Sequence, residues 1–131
     1  MSQLTDAGAA LIYRYLLEGY EEPSITPGTW FALFTAGPTH DLSGTTELGS
    51  YSRVQMPTWT YAGTWPALSA TLNGAYVIDP MPSCTITGWG LFSDDTAGTL
   101  MYFELLDSPT SFTSGDRYVI PTGSIIIDLN T

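Results

Sequence analysis

The chain contains no lysine. Its cationic side chains are Arg14, Arg53 and Arg117, set against thirteen carboxylates for a formal net charge of −10. Non-specific affinity for nucleic acid comes mainly from cationic side chains on phosphates. No DNA or RNA partner is therefore expected, and no anionic membrane surface. Cysteine is almost absent: Cys84 stands alone, so no internal disulfide is expected. Its place in an alternating run reads as a small core residue. The single histidine, His40, lies in a polar stretch. A Ser or Cys nucleophile needs a base such as His, and no Ser sits in a G-x-S-x-G elbow. One Cys and one His cannot supply the four ligands of structural zinc. No Gly-rich loop runs into Lys-Ser or Lys-Thr to cradle phosphate. No apolar stretch approaches the roughly 20 residues of a membrane span. Residues 1–12 lack the basic start and cleavage site of a secretory leader, so synthesis in a reducing cytoplasm is expected. No catalytic residue, metal or cofactor is expected, and the chain reads as a structural or binding protein rather than an enzyme.

What is present is aromatic and apolar. Hydrophobic residues make up 44% of the chain, with four Trp, eight Tyr and five Phe, which excludes a disordered chain despite the charge. Gly and Pro are spread in short clusters between aromatic and β-branched runs, as a sandwich or barrel requires. The 131 residues are read as one domain, residues 1–131, with an amphipathic helix in 1–19 and a β-sandwich over 28–131.

The helix is expected over residues 5–18. Thr5 or Ser2 can cap it, and Asp6 sits in its first turn against the helix dipole. Leu4, Gly8, Leu11, Ile12, Tyr15 and Leu16 recur at spacings of three and four. Gly19 and Pro23 then stop it. Its apolar face either packs on the chain's own sandwich or docks on a neighbouring subunit. Because that face is narrow, the helix is expected to serve assembly more than folding.

Beyond residue 28 the period changes to two. Residues 29–35 (TWFALFT) read as a buried strand, and 36–49 as a long polar loop. Residues 50–56 alternate. Trp59, Tyr61 and Trp65, interrupted by Pro57 and Pro66, suit an edge strand or an ordered aromatic loop. Residues 68–72 and 76–78 flank Asn73-Gly74, a two-residue hairpin signal. Residues 83–92 (SCTITGWGLF) form a strand with a Gly-marked bend, and 100–106 pair back across a turn at Asp94, Asp95 and Gly98. A further turn at 114–116 precedes 117–120, and 124–129 (SIIIDL) close the fold as a central strand. The expected fold is mainly β: a jelly-roll-like antiparallel β-sandwich of about eight strands with one N-terminal α-helix.

Two features invite a functional reading. Asp94 and Asp95 suit turn chemistry first, with a calcium ligand or a catalytic pair as alternatives. Trp59, Tyr61, Trp65 and Tyr76 suit core packing, a subunit interface or a glycan platform. The candidate interface comprises Leu4, Leu11, Ile12, Tyr15, Leu16, Trp59, Tyr61 and Trp65.

Several segments, taken in order, give the chain a family likeness. The N-terminal helix is followed by Trp30-Phe31-Ala32-Leu33-Phe34-Thr35 and then Gly37-Pro38. Next come Thr46-Glu47 and Gly49-Ser50-Tyr51-Ser52-Arg53. The later half carries Thr87-Gly88-Trp89-Gly90-Leu91-Phe92-Ser93-Asp94 and Ala97-Gly98-Thr99-Leu100-Met101-Tyr102. It ends with Ser114-Gly115-Asp116 and Ile120-Pro121-Thr122-Gly123-Ser124-Ile125. In this the chain resembles a family of small tailed-bacteriophage virion proteins often labelled tail fibre proteins. The resemblance implies a virion component built as a β-sandwich. Such sandwiches also serve as capsid decoration or cement proteins, and the role expected first is decoration that stabilises the assembled shell. The alternative is a tail-tip or fibre-associated adhesin that binds host glycan. Expected partners are further copies of the chain, as a trimer, and the major capsid protein or other virion proteins.

Overall fold

In the computed structural model, residues 3–18, 29–63 and 69–128 are described. The elements are β1 (Gln3–Leu4), α1 (Asp6–Glu18), β2 (Thr29–Ala36), β3 (Thr46–Glu47), β4 (Val54–Met56) and β5 (Trp59–Ala62). They continue with β6 (Ser69–Leu72), β7 (Tyr76–Ile78), β8 (Cys84–Phe92), β9 (Leu100–Phe112), β10 (Tyr118–Ile120) and β11 (Ile126–Asp128). Every pairing is antiparallel. The large sheet runs β1-β9-β8-β2, with β3 and β4 both on the far edge of β2; β10-β7 and β11-β6-β5 form two smaller sheets. The chain is thus mainly β with one N-terminal helix, as expected. Eleven strands occur among the described residues instead of about eight; β1 and β3, two residues each, are too short to show a period in sequence, and β3 falls within the stretch expected as a polar loop.

Period-2 patterning on the large sheet explains its layers. On β2, Phe31 and Leu33 join Trp89 and Leu91 of β8 and Tyr102 of β9 in a core with Leu72, Ile78, Ile120 and Ile127 of the smaller sheets. That is the layering of a sandwich. The alternate residues Ala32, Phe34, Phe92, Leu100 and Phe103 form a second buried cluster on the opposite face. The centre of the large sheet, at β2 and the adjoining halves of β8 and β9, is therefore dry on both sides, while the far half of β9 is exposed. Gly90 makes room for this: a Cβ there would lie 2.5 Å from Leu100 Cδ1 and 3.0 Å from Phe34 Cε2.

The helix begins as the sequence indicates. Thr5 Oγ1 accepts the Gly8 N–H at 2.9 Å, an N-cap bond to the third helical residue. The same hydroxyl donates to the Leu100 carbonyl, and the Thr5 N–H donates to Met101 O at 2.9 Å. Thr5 is 1% exposed. Leu4 does not belong to the helical stripe. It lies in β1, paired opposite Tyr102 of β9, because the cap places the chain before it in extended conformation. The helix is bonded at its first turn into the large sheet, which is the packing on the chain's own sandwich that the sequence left as one alternative. Tyr13 and Leu17, one turn apart, remain 64% and 79% exposed.

Two further expectations are corrected. Asn73-Gly74 does not close a hairpin, since β6 pairs with β5 and β11 while β7 pairs with β10. A type I′ turn needs positive φ at both central residues, and here Gly74 has it, at +136°, while Asn73 does not. The residues between β6 and β7 instead carry the chain from one small sheet to the other. The closing strand β11 is an edge of its sheet, not central, because the chain ahead of it turns at residues 121–124, where Ser124 N–H donates to Pro121 O at 3.1 Å.

Gly8 decides a sign. Alanine exceeds glycine in a free helix by about 1 kcal/mol. Here an added Cβ would meet Met101 O at 2.6 Å and Met101 Cα at 2.8 Å, both backbone atoms that cannot rotate away. Overpacking of this kind costs about 1–3 kcal/mol, so Gly8→Ala is expected to destabilise the protein despite its propensity. Urea titration of the variant checks this; a midpoint above that of the parent would show that the helix does not press on β9.

Candidate functional site

The aromatic residues singled out from sequence divide. Trp59 and Tyr61 lie two apart on β5, an edge strand, and project to the same side of the sheet. Trp59 is fixed by donating its Nε1–H to Met56 O at 2.8 Å. Tyr61 is 73% exposed. Together with Thr29, Ser69, Ala70, Tyr102 and Ile127 they line a cleft of about 240 Å³. It opens between the large sheet, which supplies Tyr102, and the β5-β6-β11 sheet. Its walls are carbon-rich, and burial pushes the Tyr102 phenol pKa up. Such a cleft suits an aliphatic or aromatic side chain. Tyr76 packs against the main core instead. Trp65 lies outside the described residues. Leu11, Ile12, Tyr15 and Leu16 fall within α1, and their side chains are outside what the structure describes.

A second arrangement escaped the sequence reading, and it centres on Arg53. The guanidinium grips the Glu47 carboxylate with two nearly parallel bonds, Nε to Oε2 at 2.9 Å and a terminal nitrogen to Oε1 at 2.7 Å. Its other terminal nitrogen donates to the carbonyls of Asp94 at 2.8 Å and Ala97 at 2.7 Å. The carbon of the guanidinium stands 3.6 Å above the centre of the Phe92 ring. Tyr51 completes the set, donating to Glu47 Oε2 at 2.5 Å and accepting the Leu33 N–H at 3.0 Å. Arg53 thus fastens the segment around β3 and β4 to the turn between β8 and β9, and it roofs the second apolar cluster at Phe92.

The electrostatics follow from partial burial: 8% of the Arg53 side chain and 28% of Glu47 remain exposed. Burial alone would raise the Glu47 pKa, but the hydrogen bonds from Arg53 and Tyr51 and the Arg53 charge outweigh it and hold the carboxyl below its ordinary value. Burial and the Glu47 hydrogen bond both push the Tyr51 phenol up. Residues 50–53 separate two grooves. One, of about 450 Å³, reaches Trp30 and Asp95–Ala97 by way of Thr96; the other, of about 520 Å³, reaches Val77 and Pro80. Sequence marked Arg53 through scarcity, as one of three cations in an acidic chain, and set it with Glu47 and Tyr51 among the segments of the family likeness, but neither signal joins the three side chains.

The remaining polar candidates resolve as local structure. Asp94 Oδ1 accepts the Asp95 N–H at 2.7 Å, which is the expected turn chemistry. His40 packs edge-on to Phe103 with centroids 5.1 Å apart, helping to cover the second cluster. Cys84 is half-buried on β8 beside the main core, and burial pushes its thiol pKa up. Among the described residues no group of three or more His, Cys, Asp or Glu is placed to hold a metal ion.

Arg53→Ala removes one partner of a largely buried pair and also the bonds to two turn carbonyls. It is expected to cost about 3 kcal/mol, the scale for an ion pair broken on one side. The pair also has a pH signature. A carboxyl depressed in the folded state adds stability above its unfolded pKa, ordinarily 4.5 for Glu, and loses it as pH falls through the folded value. Denaturation measured from neutral to acid pH should show this loss in the parent and a weaker loss in Arg53→Ala. Identical acid profiles would mean that Arg53 does not hold Glu47 ionised.

A profile of the family described as podophage GP4 fiber I protein gp80 matches residues 4–128. No curated protein matches the chain. With all but its extreme ends covered by one profile, the chain belongs to this family of podophage fibre proteins and is a virion component.

Proposed function

We propose that the chain is a structural subunit of the phage tail-fibre apparatus, working by protein–protein contact and not by catalysis. The observation that carries this reading is the family match over residues 4–128. The family is described as a fibre protein, which favours a fibre position over the capsid-decoration role expected first from the sequence. In this reading residues 1–131 act as one unit that associates as a homo-oligomer, with a trimer favoured. Other virion proteins are its neighbours, and neither nucleic acid nor membrane is a partner.

The surface proposed for contact is the cleft at Trp59 and Tyr61. Interface anchors are typically aromatic side chains set in or beside apolar pockets, and Tyr61 offers its ring from an edge strand at 73% exposure. The cleft also weighs between assembly and glycan binding. A sugar site needs several polar groups around its stacking ring. Of the polar groups lining this cleft, the Thr29 hydroxyl at 3.2 Å and the Trp59 Nε1–H at 2.8 Å are already donated to Met56 O, which leaves the hydroxyls of Ser69 and the two tyrosines on otherwise carbon-rich walls. That favours an apolar side chain from a neighbouring subunit.

Labelling the chain on intact particles, by cryo-electron microscopy or immunogold, locates it. Density on the tail or its fibres is expected; density spread over the capsid lattice would restore the decoration role. Tyr61→Ala removes an exposed ring and should leave folding within about 0.5 kcal/mol of the parent. Its incorporation into particles should fall by the equivalent of about 2 kcal/mol, as for an interface anchor. Incorporation at the parental level would take the cleft out of assembly.

A further inference from the structure

We propose that Asn73 is a site of spontaneous deamidation in the folded protein, giving aspartate and isoaspartate at the exit of β6. The chain has two asparagines, Asn73 and Asn130, and Asn73 is the one followed by glycine. The reaction is intramolecular. The Gly74 backbone nitrogen attacks the Asn73 side-chain carbonyl carbon and forms a new carbon–nitrogen bond. The side-chain amide nitrogen leaves as ammonia, taking up the proton that Gly74 gives up. Water then opens the cyclic imide at one carbonyl or the other, leaving aspartate or isoaspartate. No oxidant or catalyst enters, and water is the only co-reactant.

Three observations make this site competent in the native fold. Asn73 is exposed, so its carboxamide can rotate and water can reach it. Among the described residues neither that carboxamide nor the Gly74 N–H has a hydrogen-bond partner that the attack would have to break. Glycine has no side chain to shield its nitrogen, and at Gly74 the backbone lies outside helix and strand, at φ +136°.

The consequence reaches the core because the residue before it is fixed. Leu72 is 1% exposed. Its N–H donates to Ile125 O at 2.9 Å and its carbonyl accepts the Gly123 N–H at 2.9 Å, while Asn73 N–H donates to Thr58 O at 3.0 Å. Isoaspartate routes the main chain through an extra methylene directly after these bonds. The aspartate product leaves the backbone intact and adds one more negative charge to an acidic surface.

The test incubates the folded chain at mildly alkaline pH and physiological temperature, beside the same chain in urea and an Asn73→Ser variant. Mass spectrometry with labelling by an isoaspartyl methyltransferase reads the result. A one-dalton gain and isoaspartate label at Asn73 in the folded chain, both absent from Asn73→Ser, are expected. The modified fraction should melt a few degrees below the parent, while an Asn73→Asp variant should melt close to it. If the folded chain keeps its amide while the urea-treated chain loses it, the fold protects Asn73 and the proposal fails. It fails equally if neither sample changes.

Discussion

Burial of both faces at the centre of the large sheet is the constraint on which the rest of the structure depends. A strand with one wet face alternates apolar and polar side chains, but β2 carries Phe31, Ala32, Leu33 and Phe34 in succession, each no more than 1% exposed. Two covers are therefore required. The smaller sheets provide one, through Leu72, Ile78, Ile120 and Ile127. Among the described residues no comparable sheet covers the other face. That cover is assembled from loop pieces: His40 against Phe103, Tyr51 beside the second cluster, and Arg53 over Phe92. Loops make good covers only when their polar backbone is satisfied. The Thr39, Asp41 and Ser43 bonds, with Ser43 N–H and hydroxyl both donating to Asp41, meet that need locally.

The same constraint explains where side chains are missing. Gly88 and Gly90 alternate with Trp89 and Leu91 on β8, so over residues 88–91 one face of that strand carries bulk while the other carries none. A Cβ at Gly88 would lie 2.7 Å from both Glu104 O and Pro38 Cδ. Small residues on this face let Phe34, Leu100 and the 37–38 segment approach the strand itself. Gly8 repeats the device where the helix meets β9. Close approach raises the number of dispersion contacts per residue, and it makes each of these positions intolerant of a single added methyl group.

Legibility in the sequence follows the range of the interaction. The Thr5 cap, the buried run of β2 and the β8–β9 pair with its Asp94 turn are set by neighbours a few residues apart, and each can be read locally. The Arg53 network joins residues 47, 51, 53, 92, 94 and 97, and no period links them. Asn73-Gly74 failed for a subtler reason. The dipeptide permits a hairpin turn without requiring one, and the partners of Leu72 and Asn73 at Ile125 and Thr58 drew the two flanking strands into different sheets. At the candidate interface, Trp59 and Tyr61 were legible as aromatics on an edge strand or an ordered loop; that Tyr61 is exposed while Trp59 is partly buried was not. The cleft beside them was not, since Tyr102 reaches it from forty residues further along the chain.

Charge then limits how such a chain can assemble. Arg53 is committed to Glu47, and Arg117 pairs with Asp79 at 3.2 Å on the surface. The described surface is left with carboxylates and few cations to offer. Copies of a chain carrying −10 repel one another at long range, but that repulsion is screened over about 8 Å at physiological ionic strength. Contact free energy must then come from short-range burial, at about 25 cal/mol per Å² of apolar surface. Exposed apolar side chains are available for this on separate elements: Tyr61 on β5, the cross-strand pair Val77 and Val119 on β7 and β10, and Tyr13 with Leu17 on α1. For the proposed fibre subunit, neighbours would be held through apolar contacts while the acidic remainder keeps unassembled copies apart.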